Sequence, residues 1–141
     1  MRRHRPVLLA CLALLAGAGG CGPQAPVHVE DAWVRAADSA GTTAAYFTLV
    51  NGGPDTLHVT GVTGACAASL RMHRTVRERG MVSMREADRF DVPPHTRLVF
   101  APGGNHVMLT GLAHRLEPGL TVALMLDMSG GAQVPMVAEV R

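Results

Sequence analysis

Two histidines and two methionines in the middle of the chain have the types and spacing of a donor set: His73, Met84, His106 and Met108. Ten residues separate the first two, twenty-one separate Met84 from His106, and Val107 alone separates His106 from Met108. Imidazole serves many transition metals, whereas thioether is a soft donor that selects Cu(I) over hard cations. Both donors are neutral when bound, so Cu(I) would keep its single positive charge. Methionine also supplies sulfur without forming disulfides in an oxidising compartment, although oxidation to the sulfoxide removes the soft donor.

Taken singly, these residues have plainer readings. A lone histidine on a strand is usually a surface or core-edge side chain, and a lone methionine usually fills core space. His106 and Met108 are stronger as a pair, because alternate residues of a strand leave the same face and the Gly103-Gly104 turn precedes them. Met81 is either an additional exposed thioether or an inward-packing residue. Met125, Met128 and Met136 read as core. Cys66, flanked by Ala65, Ala67 and Ala68, reads as a small buried residue outside the donor set. His28, His58, His95 and His114 have no partner at a spacing that forces a ligand role. Enzyme chemistry has no comparable signal: there is no serine elbow, no carboxylate pair placed for acid–base work, and no lysine or long helix after Gly103-Gly104 to hold a phosphate. A blue-copper centre would need a cysteine thiolate beside its histidines, and Cys66 is not in a Cys-to-Met loop near the chain end. The expectation is a non-enzymatic carrier without intense colour.

Short strands must position these donors. Strands are predicted over 27–35, 43–50, 56–63, 70–75, 81–86, 97–100, from 106 onward, 122–128 and 134–140, from β-branched and alternating apolar residues. Asn51-Gly52-Gly53-Pro54-Asp55 is the strongest turn signal. Alternation places His73 on the face opposite Leu70 and Met72, and Met84 on the face of Val82. It also groups Leu57, Val59 and Gly61. Arg77 to Gly80 reads as a charged turn, Arg85 to Arg89 as at most one helical turn, and Gly111 to Gly119 as a loop. Trp33, the only tryptophan, reads as core, and Pro135 marks an edge or a strand start. Many short strands with turns at roughly 8–12-residue spacing predict an all-β sandwich or small barrel. Pairing across the 77–80 turn could bring His73 near Met84, but register is not written in local sequence.

Residues 1–20 read as an export signal, with Arg2, Arg3 and Arg5 ahead of an apolar run from Val7 to Ala16 and small residues up to Gly20. Ala18-Gly19-Gly20-Cys21 resembles a lipoprotein cleavage site, with Cys21 as the lipidated residue, although alanine stands where leucine is usual. Residues 21–26 are then a tether and 27–141 a single domain. The body of the chain is expected outside the cytoplasm, periplasmic or at the cell surface, and held to the membrane by lipid. Without the three leader arginines, ten arginines face eleven acidic residues. With no lysine and no basic stripe, nucleic acid is not an expected partner. Cys11 leaves with the leader and Cys21 with the lipid, so Cys66 has no disulfide partner.

Beyond these residue-level readings, the chain resembles the bacterial periplasmic copper chaperones of the PCu(A)C family. All four donors match that family's motif and its three spacings. Trp33-Val34-Arg35-Ala36, Ala45-Tyr46, Asn51-Gly52-Gly53, Met81 to Arg85 and Pro102 to Leu109 add to the resemblance, which covers roughly residues 29 to 138. Arg74 stands where many relatives carry a further methionine. The resemblance implies a cupredoxin-like (immunoglobulin-like) β-sandwich and an exposed Cu(I) site formed by His73, Met84, His106 and Met108. It also implies copper delivery for the dinuclear centre of cytochrome c oxidase subunit II, directly or with a thioredoxin-like copper assembly protein. A copper-buffering or tolerance protein is the nearest alternative, and a β-sandwich assembly module that binds no metal is the more distant one.

Overall fold

The computed structural model describes residues 26–141. The export signal, Cys21 and all but the last residue of the tether lie outside the described residues. Ten strands follow: β1 (Val27–Val34), β2 (Thr42–Asn51), β3 (Leu57–Thr63), β4 (Ala67–Glu78), β5 (Met81–Glu86), β6 (Phe90–Val92), β7 (Thr96–Phe100), β8 (His106–Leu112), β9 (Thr121–Met128) and β10 (Gln133–Val140). They run β5-β4-β8-β2-β1-β10-β9-β3-β6, with β7 beside the second half of β2. Every pairing is antiparallel except β1 with β10. The path folds over so that β3 packs near β4 and β6 near β7, giving the expected all-β sandwich.

The core follows from side-chain alternation. On β9, Val122, Leu124, Leu126 and Met128 face inward; Met136, Ala138 and Val140 do the same on β10. Phe47 and Phe100, paired across β2 and β7, stack with centroids 4.4 Å apart, and Phe90 meets Phe100 edge-on at 5.2 Å. Pro135 sits where β10 has no β1 partner, because that pairing involves only the strand's last residues; the missing N–H costs no ladder bond there.

Local pattern and structure part company at several points. A bulge between Glu30 and Trp33 shifts β1, so Val34 takes the core position. Trp33 lies half-buried on the outer face against Tyr46, ring centroids 4.5 Å apart. A second bulge between Val59 and Gly61 puts Val62 in the core with Val59. Met125 is exposed, because it alternates with the inward residues of β9. The charged turn contracts to Arg79-Gly80, both at positive φ (50° and 78°). Such two-residue turns match the twist of a hairpin, and Arg77 and Glu78 therefore continue β4. Arg85 and Glu86 remain on the β5 ladder, and no helix forms over 85–89. β8 extends to Leu112, shortening the loop expected over 111–119.

Asn51 is the most deeply buried polar residue among those described, at 1% exposure. Its Nδ2 donates to the carbonyls of Asp55, Val92 and Pro93 at 2.8–3.0 Å, and its Oδ1 accepts the Gly53 N–H at 3.1 Å. The amide joins the β2–β3 turn to the connector after β6. Asn51→Asp should cost at least about 2 kcal/mol, because a buried carboxylate offers those three carbonyls no donor. Urea unfolding measures it, and a loss below about 0.5 kcal/mol would remove this structural role.

Candidate metal centre

β4 organises the site because it pairs with β5 on one side and β8 on the other. Its two registers set His73 directly across from His106 and Thr75 directly across from Met84. Met108, two residues beyond His106, faces Arg71. Directly paired residues share a face, so all four candidate donors project from one face of β5–β4–β8. Met72 and Val107, also paired, point the other way into the core. His73 is diagonal to Met84, and Glu86 occupies the position opposite His73. Arg74 turns away from the donors, its guanidinium 4.9 Å from the Phe90 ring centre.

The two imidazoles are held differently. His106 is buried, with Nδ1 3.1 Å from the Gly104 carbonyl. A carbonyl only accepts, so Nδ1 carries the proton and Nε2 keeps its lone pair. The Thr75 hydroxyl donates to the same carbonyl at 2.8 Å. Thr75 and Gly104 thus fix the ring's tautomer and orientation, as partners of ligating histidines do. The His73 ring meets His106 edge-on, centroids 5.4 Å apart and planes at 74°. Its Nδ1 is buried without a hydrogen-bond partner. Such an atom is costly to leave unsatisfied, and metal coordination would satisfy it.

A cavity of about 530 Å³ opens over the site, with Met84, His106 and Met108 in its lining. His73 does not line it and reaches the group through His106. Met84 is 60% exposed on a strand whose residues are all exposed, whereas Met108 is partly buried in the middle of the sheet. Among the described residues, no three of His, Cys, Asp and Glu gather to hold a metal. The convergent set contains two imidazoles and two thioethers, which suits a soft monovalent ion and not a hard cation. Met81 belongs to the opposite alternation of β5 from Met84.

Displaced acidities lie elsewhere. Hydrogen bonds from His28 and then Arg97 hold Glu30 below the usual carboxylate range. Those from Arg89 and then His58 do the same for Asp91. Cys66 is buried and free, and burial pushes its thiol up. The thiolate is the reactive form, so iodoacetamide at neutral pH should label Cys66 slowly in the native domain and fully in urea. Fast native labelling would show the thiol to be accessible.

Comparison with known proteins then places the chain. The family described as "Putative lipoprotein LpqE-like" matches residues 27–140, nearly all of the folded part. The chain belongs to the LpqE-like lipoprotein family. "Putative lipoprotein Lxx21020" of Leifsonia xyli subsp. xyli (strain CTCB07) is 38% identical, over 92% of this chain and 85% of that protein. The solution structure of CuI-DR1885 from Deinococcus radiodurans is 32% identical, with TM-score 0.68 over 86% of this chain and 83% of that one. The copper-bound PCuAC domain from PmoF2 has TM-score 0.68 over 83% of this chain and 93% of its own, and at 24% identity it speaks for the fold. This LpqE-like chain therefore has the cupredoxin-like PCuAC fold. As a member of a lipoprotein family it is an extracytoplasmic, lipid-anchored protein.

The sequence pattern marks the Gly103-Gly104 turn and gives neither Thr75 nor the Gly104 carbonyl a role. Period-two spacing from His73 was the available signal for Thr75. None existed for the carbonyl, whose position depends on the β4–β8 register.

Proposed function

We propose that this LpqE-like protein is an extracytoplasmic Cu(I) carrier, with His73, Met84, His106 and Met108 as ligands and Cys21 as its lipid attachment point. The observation that carries the reading is the direct pairing of His73 with His106, with Met84 and Met108 on the same face beside them. The copper-bound state of the DR1885 and PmoF2 structures supports it. The acceptor is the dinuclear copper centre of cytochrome c oxidase subunit II, reached directly or through a thioredoxin-like copper assembly protein. A lipid anchor would hold the carrier beside such a membrane-bound acceptor.

Transfer proceeds by ligand exchange without a change of oxidation state. The acceptor's donor adds to copper as a thioether leaves. Met84 leaves first, because it is the most exposed donor and sits on the edge hairpin. His106 leaves last, pinned by the Gly104 carbonyl.

The test is a Cu(I) competition titration of the mature domain, with X-ray absorption to count sulfur and nitrogen ligands. One equivalent bound by two nitrogens and two sulfurs is expected. Acid should weaken binding, because a protonated imidazole has no lone pair to donate. Flat affinity on acidification, or no stoichiometric uptake under reducing conditions, would exclude the two-imidazole site. Loss of oxidase activity on deletion, restored by added copper, tests the acceptor.

A further inference from the structure

The cavity is much larger than one metal ion requires, and its lining includes a charge that the donor set does not explain. Arg35 lines it together with Met84, His106 and Met108. The row of strands fixes where that charge lies. The Arg35 N–H donates to the Ala44 carbonyl at 3.1 Å, and Ala44 pairs with Met108 on β8. Arg35, Ala44 and Met108 therefore stand in one cross-strand row, two strand spacings or about 10 Å from end to end. An extended arginine side chain covers much of that span, and the methyl group of Ala44 leaves the space between them open. Arg71 continues the row beyond Met108, but Glu86 neutralises it at 3.2 Å. Among the described residues no carboxylate pairs with Arg35, and none lines the cavity.

An uncompensated cation beside a site for Cu(I) repels the bound ion, so its benefit must come from something else that enters. We propose that the cavity receives an anionic sulfur, the cysteine thiolate of a protein acceptor, and that Arg35 holds its charge beside copper during exchange. This rests on the Cu(I)-carrier reading and names the chemistry of its acceptor. In the step, the cysteine S–H proton goes to solvent, a thiolate–copper bond forms and the Met84 thioether–copper bond breaks. Copper remains Cu(I), and Arg35 remains protonated. Arg35 is a positioning residue for the incoming ligand and touches no protein donor.

The experiment compares the Cu(I)-loaded mature domain with its Arg35→Gln and Arg35→Lys variants. The acceptors are two synthetic peptides that differ only in carrying one cysteine or one methionine. Stopped-flow transfer to the cysteine peptide should slow about tenfold in Arg35→Gln and recover in Arg35→Lys, as expected for electrostatic guidance. Transfer to the methionine peptide should stay unchanged, and Cu(I) affinity in Arg35→Gln should hold or rise, because a charge that repels the ion is removed. Equal slowing with both peptides, or no slowing with either, would overturn the role of Arg35. Failure of the wild-type domain to take up Cu(I) would overturn the carrier reading itself. Should Arg35→Gln fold poorly, the salt dependence of wild-type transfer decides. Added salt must slow the cysteine peptide and leave the methionine peptide alone, and equal salt dependence would overturn the proposal.

Discussion

Replacing His106 with alanine should lower Cu(I) affinity by at least about a hundredfold, or about 2.7 kcal/mol, while the domain stays folded. His106 combines burial with a fixed tautomer: its Nδ1–H donates to the Gly104 carbonyl, which leaves the Nε2 lone pair available to a metal. The substitution removes that donor and leaves His73 without its paired ring. The Gly104 carbonyl keeps its bond from Thr75, so the turn before β8 should persist. Met84→Ala should have a smaller effect, because its thioether is exposed on the edge hairpin and is the weaker kind of donor. Competition against a chelator of known Cu(I) affinity gives both values, and circular dichroism reports the fold. An unchanged affinity in His106→Ala would take His106 out of the site, and a larger loss in Met84→Ala would reverse the proposed order of release.

The largest effect on stability should come from Phe47→Ala. Phe47 is 2% exposed and stacked on Phe100, which also carries the edge of Phe90. Truncation removes buried apolar surface, leaves a cavity and breaks one aromatic pair, for a cost of about 3–5 kcal/mol. Against a typical total of about 5–15 kcal/mol, that is a large fraction. For a domain of this size it lowers Tm by roughly 10–20 °C. Phe47 points into the sandwich, whereas the neighbouring Tyr46 lines the outer cavity. Cu(I) affinity below the new Tm should therefore change little. A loss under about 1 kcal/mol would mean that the aromatic cluster repacks around the gap.

The two variants separate the faces of one sheet, and those faces were legible to different degrees. The inward residues of β9 and the shared face of His106 and Met108 follow from period-two alternation, which is local. Turn chemistry marked the 51–55 turn and the sharp entry into β8. Local patterning failed where an extra residue changed its phase: the bulge beside Val59 brought Val62 to the face that strict alternation had denied it, and the bulge before Trp33 gave the core position expected of the tryptophan to Val34. Asn51 read as a turn residue and is also a buried connector, because its partners Val92 and Pro93 lie more than forty residues along the chain.

The sequence by itself determined an all-β domain, the face shared by His106 and Met108, and four candidate donors of types that suit Cu(I). Only the tertiary structure decided that these candidates share one face. His73 reaches His106 through the β4–β8 register, Met84 comes alongside through the β4–β5 register, and Arg35 joins them through β2. Each register is a pairing between distant segments, and a slip of one residue would turn a donor to the opposite face. Residue types and local spacing can propose such a site, but packing of the whole sheet selects the register that builds it.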